Sequence, residues 1–442
     1  MRIAVVPIDA IGHMNPLLAV VAELAALPGV EEVRSFGPPA LAKAFTAVGA
    51  RHVSLAAQPL GPTPPGLSDL AYKSFVHPLA TSRSFVDAVA AFRPDAVLYD
   101  VFSVHGIIAA RTLRVPSASL VTFPGYGALG EDFALQHGRP HPALDEASDA
   151  YRRMYGTDLL GEGFLPTLFP SADLSVVTAA EELSREPDET TPRLLDALKP
   201  FLDTCVHVGA AQGHARYVPS PGAPEQSGRP ERHRADFPFE LLQRAKRDGR
   251  AVVLFSLGTV LTDFRFGTPV GGAPTGRDFL RAMLGHLTTA LGGRADLTVV
   301  AAVGTRLSAE EEPRWPGNFL VRDFLPQREI LDRYADVFVT HHGMNSTTEA
   351  ILAGVPMVSL PGVGDQLANA RTAVERGAAV APWDVDDPYA TVTAERLARA
   401  VDQALRDDRH RAACRELREA VLRAGGAPRA ARLVAGLAQS AA

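Results

Sequence analysis

Short apolar runs alternate along the chain with longer stretches in which apolar side chains recur every three or four positions, and the rhythm starts afresh past the middle. Runs of this kind, too short for helices and bounded by Gly, Pro and Asp, predict strands buried in parallel α/β sheets. In the first half they fall at Ile3–Pro7, Val33–Phe36, Val53–Leu55, Ala96–Asp100, Ser117–Thr122, Leu174–Thr178 and Val206–Val208. The second series comprises Ala251–Leu257, Leu297–Ala302, Phe319–Val321, Val337–Thr340 and Met357–Leu360. Between the two lies a segment, 214–237, that is rich in Pro, Gly and charge and has no apolar period, which reads as a linker. The expected organisation is an α/β protein of two doubly wound, Rossmann-like domains, 1–213 and 238–424. A terminal helical stretch, 425–442, follows, and a ligand cleft is expected between the carboxyl ends of the two sets of strands.

Composition narrows the function without naming it. A chain of 442 residues, 46% of them hydrophobic, is long enough for two cores. A formal net charge of −6 with scattered Arg residues argues against nucleic acid or an anionic membrane as a partner. Only Cys205 and Cys414 are present, too few for a disulfide framework or a zinc site. The chain enters a strand directly as RIAVVPI, and no apolar stretch is long enough to span a bilayer, so a soluble, cytoplasmic protein without stable membrane insertion is expected. Dinucleotide-binding dehydrogenases share this layout, but the first strand is followed by DAIGHMNP and lacks the G-x-G-x-x-G that would cradle a pyrophosphate.

The chemistry concentrates between Val339 and Gln366. After the strand Val337–Thr340, the turn His341, His342 and Gly343 leads into a helix expected over Asn345–Ala353, with Ser346 and Thr347 in its first turn. Unpaired N–H groups at such a helix start suit a phosphate. Beyond the next strand, Asp365 and Gln366 supply a carboxylate and an amide of the kind that binds polyhydroxyl groups. In the first half, His13 follows the first strand and precedes a helix expected to begin near Asn15, while Asp100 closes the strand AVLYD. By position alone His13 is a general base or a helix-capping residue, and Asp100 its partner or a turn former.

The run FLPQREIL, followed by HHGMNSTTEA, GVP and GDQ, resembles the donor signature of the family 1 nucleotide-sugar glycosyltransferases, in particular the bacterial macrolide-type branch. IGHMNP near the N-terminus and SLGT at Ser256–Thr259 extend the likeness over nearly the whole chain. It implies the two-domain GT-B fold, with the last helix, sought here within Leu417–Leu437, returning to the N-terminal domain. It also implies that His13 and Asp100 form the catalytic dyad. Phe324 then stands where the family stacks an aromatic on the base, with Gln327 beside the nucleoside and Glu349 on the ribose hydroxyls. The diphosphate falls to Thr259, His341, Gly343, Asn345 and Ser346. Relatives often carry Gly or Cys where His342 stands, and of the two histidines His341 is the one expected to meet the phosphate. Asp365 and Gln366 would bind the transferred sugar, although an N-terminal helix position also explains Asp365.

Together these residues predict an inverting transfer of a hexose, glucose in the first instance, from a UDP-sugar to a hydroxyl of a hydrophobic polyketide, macrolide or phenolic acceptor. The nucleotide sugar is a co-substrate, and no cofactor is implied. The leaving diphosphate would enter the positive field of the helix start, His341 and Ser346. Acceptor loops are sought in Gln58–Phe75 and Phe123–Phe133, and Asp263–Gly276 reads as a mobile loop over the cleft or an inconsequential insertion. A dTDP-deoxysugar transferase is the alternative donor reading. A non-catalytic helper of the same fold, or an epimerase or phosphorylase, are the alternatives of another class. No Asp, His or Cys cluster has metal-ligand spacing and no D-x-D pair follows a strand. Turnover is therefore expected to be unchanged in EDTA, and a reversible loss of rate on chelation contradicts this view of the leaving group.

Overall fold

The computed structural model describes residues 1–56, 59–67, 72, 76–124, 142–155, 171–184, 203–213, 237–384 and 386–440. Apart from Phe237, the expected linker lies outside these residues, as do parts of the first candidate acceptor loop and most of the second. Contacts divide the chain into two compact units. One is Met1–Gly222 with Val421–Ala442, and the other Ala223–Ala420.

The first unit is built on a seven-stranded sheet in the order β3-β2-β1-β4-β5-β6-β7, formed by Arg2–Val6, Glu32–Gly37, Arg51–Ser54, Ala96–Asp100, Ser117–Val121, Leu174–Val177 and Cys205–His207, numbered in chain order. Every pairing is parallel. β4 and β5 are buried at every position, which is why they read as unbroken apolar runs instead of alternating ones. The second unit carries a six-stranded parallel sheet, β10-β9-β8-β11-β12-β13, formed by Ala251–Ser256 (β8), Leu297–Ala302 (β9), Phe319–Arg322 (β10), Val337–Thr340 (β11), Met357–Ser359 (β12) and Ala379–Val380 (β13). All twelve strands expected from the apolar runs are present. The additional strand, β13, spans two residues and is too short to stand out in the pattern. In both sheets the strand order reverses direction once, between β1 and β4 and between β8 and β11. At such a point the connections leave to opposite sides and open a crevice at the carboxyl ends of the strands. The architecture is α/β, with two Rossmann-like parallel-sheet units, as the apolar runs predict.

The segment Asp263–Gly276 is not the loose loop expected from its Gly and Pro content. A turn of π-helix spans Val260–Phe264, Val270 pairs with Ala273, and the Gly276 and Arg277 N–H groups bond to Thr268 and Phe266 carbonyls. Val270 is 1% exposed within the core of the second unit, with Phe266 and Ala273 packed against it. These few apolar side chains anchor the segment more firmly than its composition suggests. None of the described helices is long and apolar enough to cross a membrane.

At the C-terminus, the helices Asp408–Arg423 and Gly426–Ser440 are separated by a break at Ala424 and Gly425. The second packs into the core of the first unit through Ala427, Ala430, Ala431 and Val434, small side chains that allow close approach to the helix Ile11–Ala26. Its start is tied to the end of β7, where the Gly426 N–H donates to Val208 O at 2.6 Å and Arg429 Nη1 to His207 O at 3.1 Å. Gly209 makes this approach possible. Its φ is +71°, and an added Cβ would stand 2.4 Å from Val421 O. Gly209→Ala is expected to destabilise the first unit by about 1–3 kcal/mol through combined backbone strain and collision. A denaturant midpoint equal to that of the wild type contradicts this packing.

Candidate functional site

Each sheet brings one of the expected clusters to its own switch point. In the first unit the helix after β1 begins at Ile11, not near Asn15, so His13 lies in its first turn and not ahead of it. No side chain caps this helix, which is why its start carries no signal in the sequence. His13 Nδ1 is 2.9 Å from Asp100 Oδ2 and also 2.9 Å from Thr122 Oγ1. Asp100 is wholly buried, while the His13 side chain keeps 22% of its surface. The other carboxylate oxygen accepts from the Phe102 N–H at 2.9 Å. A carboxylate can only accept, so the Nδ1 nitrogen carries the proton and Nε2 is the basic one. Phe102 meets the imidazole edge-on, with centroids 5.2 Å apart, and limits its rotation. Thr122 was not foreseen as a site residue. Its signal was only that it ends the run Ser117–Thr122, one residue past the strand that pairs with that of Asp100.

In the second unit, β8 and β11 are neighbours, and the turns that follow them converge. Gly343 is the N-cap of the helix Met344–Ala353; it has no side chain to cap with, and no acidic residue occupies the first turn. A helix start of this kind suits an anion. The His341 ring fills the space between Gly258 and Gly343. A Cβ on Gly258 would lie 2.4 Å from its Cε1, and one on Gly343 2.5 Å from its Nε2. His341 is 5% exposed, and its Nδ1 has no hydrogen-bond partner among the described residues. Burial pushes its pKa down to about 4, against a smaller opposing effect of the Ser256 backbone. His341 is therefore neutral near pH 7, which corrects its expected part in a positive field: it offers a hydrogen bond and not a charge.

His342 has a different task. Its φ of +60° is left-handed, unusual for a side chain of this size, and the residue is fully buried. Its Nδ1 is 3.2 Å from Thr347 Oγ1 and its Nε2 2.8 Å from Ser359 Oγ. Burial and the neighbouring His341 push its pKa down to about 3. With both nitrogens engaged inside the protein, His342 braces the turn from beneath.

The expected nucleoside residues form a connected group. Gln327 Nε2 donates to Ser346 Oγ at 3.2 Å and to Glu349 Oε2 at 2.8 Å. Phe324, just after β10, is 53% exposed, so its ring face is open to stacking. Thr259, after Gly258, is exposed at the start of the Val260–Phe264 turn, and Asn345 and Ser346 are half-buried in the first turn of the Met344–Ala353 helix. Asp365 occupies the N-cap position of Gln366–Glu375 but makes no capping bond. Its Oδ2 accepts instead from Asn369 Nδ2 at 2.8 Å. Gln366 is 3% exposed, and its Oε1 accepts from the N–H groups of Gly362 at 2.9 Å and Val363 at 3.2 Å. Among the described residues no three or more His, Cys, Asp or Glu side chains converge as metal ligands.

The two buried imidazoles set a pH dependence. Both have an ordinary value of 6.5 and are held neutral by folding, so the unfolded chain binds protons that the folded chain does not. Their contribution to stability is complete above about pH 6.5 and is lost as pH falls toward about 4 and below. Unfolding midpoints measured across this window should decline less steeply in His341→Gln than in wild type, by up to one proton in slope. Equal slopes contradict the buried neutral ring.

Residues 287–435 match the family described as erythromycin biosynthesis protein CIII-like, C-terminal domain. The chain is 37% identical over 133 residues to the NDP-glycosyltransferase YjiC of Bacillus subtilis, which covers 30% of this chain and 32% of that protein. It is 27% identical over 384 residues to the oleandomycin glycosyltransferase of Streptomyces antibioticus, 84% of this chain and 76% of the relative. Thus the chain spans about a third of the first Bacillus relative and three quarters of the Streptomyces one. Among solved structures, the glycotransferase of kitacinnamycin superposes with a TM-score of 0.67 at 25% identity, covering 99% of this chain and 98% of that one. With the donor signature gathered at one switch point, the chain is similar over most of its length to bacterial macrolide-type glycosyltransferases, and its fold is that of the solved glycosyltransferases of the GT-B class.

Proposed function

We propose that the protein is an inverting glycosyltransferase that moves a hexose from a nucleoside diphosphate sugar to a hydroxyl of a hydrophobic small molecule. The observation that carries this reading is the His13–Asp100 contact of 2.9 Å, which orients an imidazole whose remaining nitrogen is basic. His13 Nε2 takes the acceptor proton as the acceptor oxygen attacks the anomeric carbon. The bond from that carbon to the diphosphate oxygen breaks, and the nucleoside diphosphate leaves. Asp100 stabilises the imidazolium so formed, in the way an aspartate supports the histidine of a hydrolase triad. A single displacement turns an α-linked donor into a β-glycoside.

On the donor side, Phe324, Gln327 and Glu349 hold the nucleoside. The diphosphate meets Thr259, the neutral His341, Ser346 and the backbone from Gly343 to Asn345. Hydrogen bonds and the helix dipole supply the stabilisation there. Asp365 and Gln366 take the sugar hydroxyls, which favours UDP-glucose. One observation favours a dTDP-deoxysugar as a second reading: the Gln366 oxygen is already committed to Gly362 and Val363, which leaves fewer polar atoms for a fully hydroxylated sugar. An intact dyad and donor cluster support catalysis over a helper role.

Mass spectrometry of reactions with UDP-glucose or dTDP-glucose and a panel of phenolic and macrolide acceptors tests the reading. The expected product is heavier by one hexose. His13→Ala should lower its rate roughly 10²- to 10⁴-fold, the usual worth of a general base, while UDP affinity stays the same. A variant that keeps wild-type turnover removes His13 from the mechanism, and the relative rates with the two donors decide between the uracil and the thymine nucleotide.

A further inference from the structure

Asn369 lies on the helix Gln366–Glu375, one turn beyond Asp365, and is 3% exposed. Its Nδ2 donates to His342 O at 2.8 Å and to Asp365 Oδ2, also at 2.8 Å. Both partners, a carbonyl and a carboxylate, only accept, so the side chain must present its NH₂ to them, which settles the orientation of the amide. The consequence is that Oδ1 is buried without a hydrogen-bond partner among the described residues. A buried polar atom left unsatisfied is unfavourable and calls for a compensating role elsewhere. Here the gain is a bridge. One amide group ties the carboxylate assigned to the sugar to the backbone of the turn assigned to the diphosphate. The turn needs such a tie, because His342 is held at a positive φ of 60°.

We infer that Asn369 is a positioning residue for donor recognition: by joining Asp365 to the His342 carbonyl it fixes the sugar-binding acid relative to the diphosphate turn. The inference rests on the donor-site reading above. It makes the selectivity of this site a property of a pair, Asp365 with Asn369, and not of Asp365 alone. Leu or Ala at position 369 would remove both bonds, to the Asp365 carboxylate and to the His342 carbonyl. The next residue of the chain after Asp365, Gln366, fixes the loop ahead of it by accepting from the Gly362 and Val363 N–H groups.

Calorimetric titration of the full chain with UDP and with UDP-glucose separates this role from general support of the fold. Asn369→Ala is expected to weaken UDP-glucose about tenfold, the effect of losing one hydrogen bond to a charged group, and UDP less than about threefold. Asp365→Ala should show the same selective loss, and the double variant no further loss. If Asn369→Ala does not fold, Asn369→Ser keeps a small polar side chain that is too short to span both partners and should show the same selectivity. Equal weakening of both ligands, or additive losses in the double variant, overturns the inference. Wild-type protein that binds neither nucleotide overturns the donor-site reading and the inference with it.

Discussion

The donor half of the molecule depends on how closely two turns approach at the junction of β8 and β11. An imidazole occupies the gap, and the approach is possible only because Gly258 and Gly343 have no side chains. The same burial that seats His341 removes its charge. The helix start therefore presents oriented N–H and O–H groups beside a neutral ring. Preorganised dipoles of this type stabilise developing negative charge without reorganisation in the reaction itself. The bracing beneath the turn is part of the arrangement. His342 reaches Thr347 and Ser359, Asn369 reaches the His342 carbonyl, and the left-handed backbone is held by these bonds together.

The first unit uses the same topological position for the opposite electrostatic purpose. His13 remains partly exposed and sits against a fully buried carboxylate, so its protonated form has a counter-charge in place. His341 is buried, and its Nδ1 has no hydrogen-bond partner among the described residues. One imidazole thus stands beside a carboxylate, and the other is held neutral by burial, although both follow a strand at the reversal of a parallel sheet. Environment, not residue type, separates their roles.

Much of this was legible in the chain. Strands buried on both faces are apolar throughout, so their number and approximate limits could be read, and β13 escaped only because it is two residues long. Motif spacing brought out the candidate donor residues from Phe324 to Gln366 because they lie within one contiguous stretch. Three features were not legible. Nothing local marks the helix start at Ile11, because no side chain caps it. Val270 and Phe266 anchor a segment whose Gly and Pro content suggests looseness, since a few apolar contacts outweigh composition. Thr122 and Asn369 owe their roles to partners 109 and 27 positions away, contacts that only the assembled sheet creates.

The central claim is that a nucleoside diphosphate binds at this turn against a neutral His341, with His342 serving as support. Nitrogen-15 NMR of the histidine side chains during titration with UDP near pH 7 tests it most directly. The account predicts that a His341 ring nitrogen shifts on binding while the ring stays neutral, and that His342 barely responds. A principal response at His342, protonation of His341, or no change at either ring contradicts it.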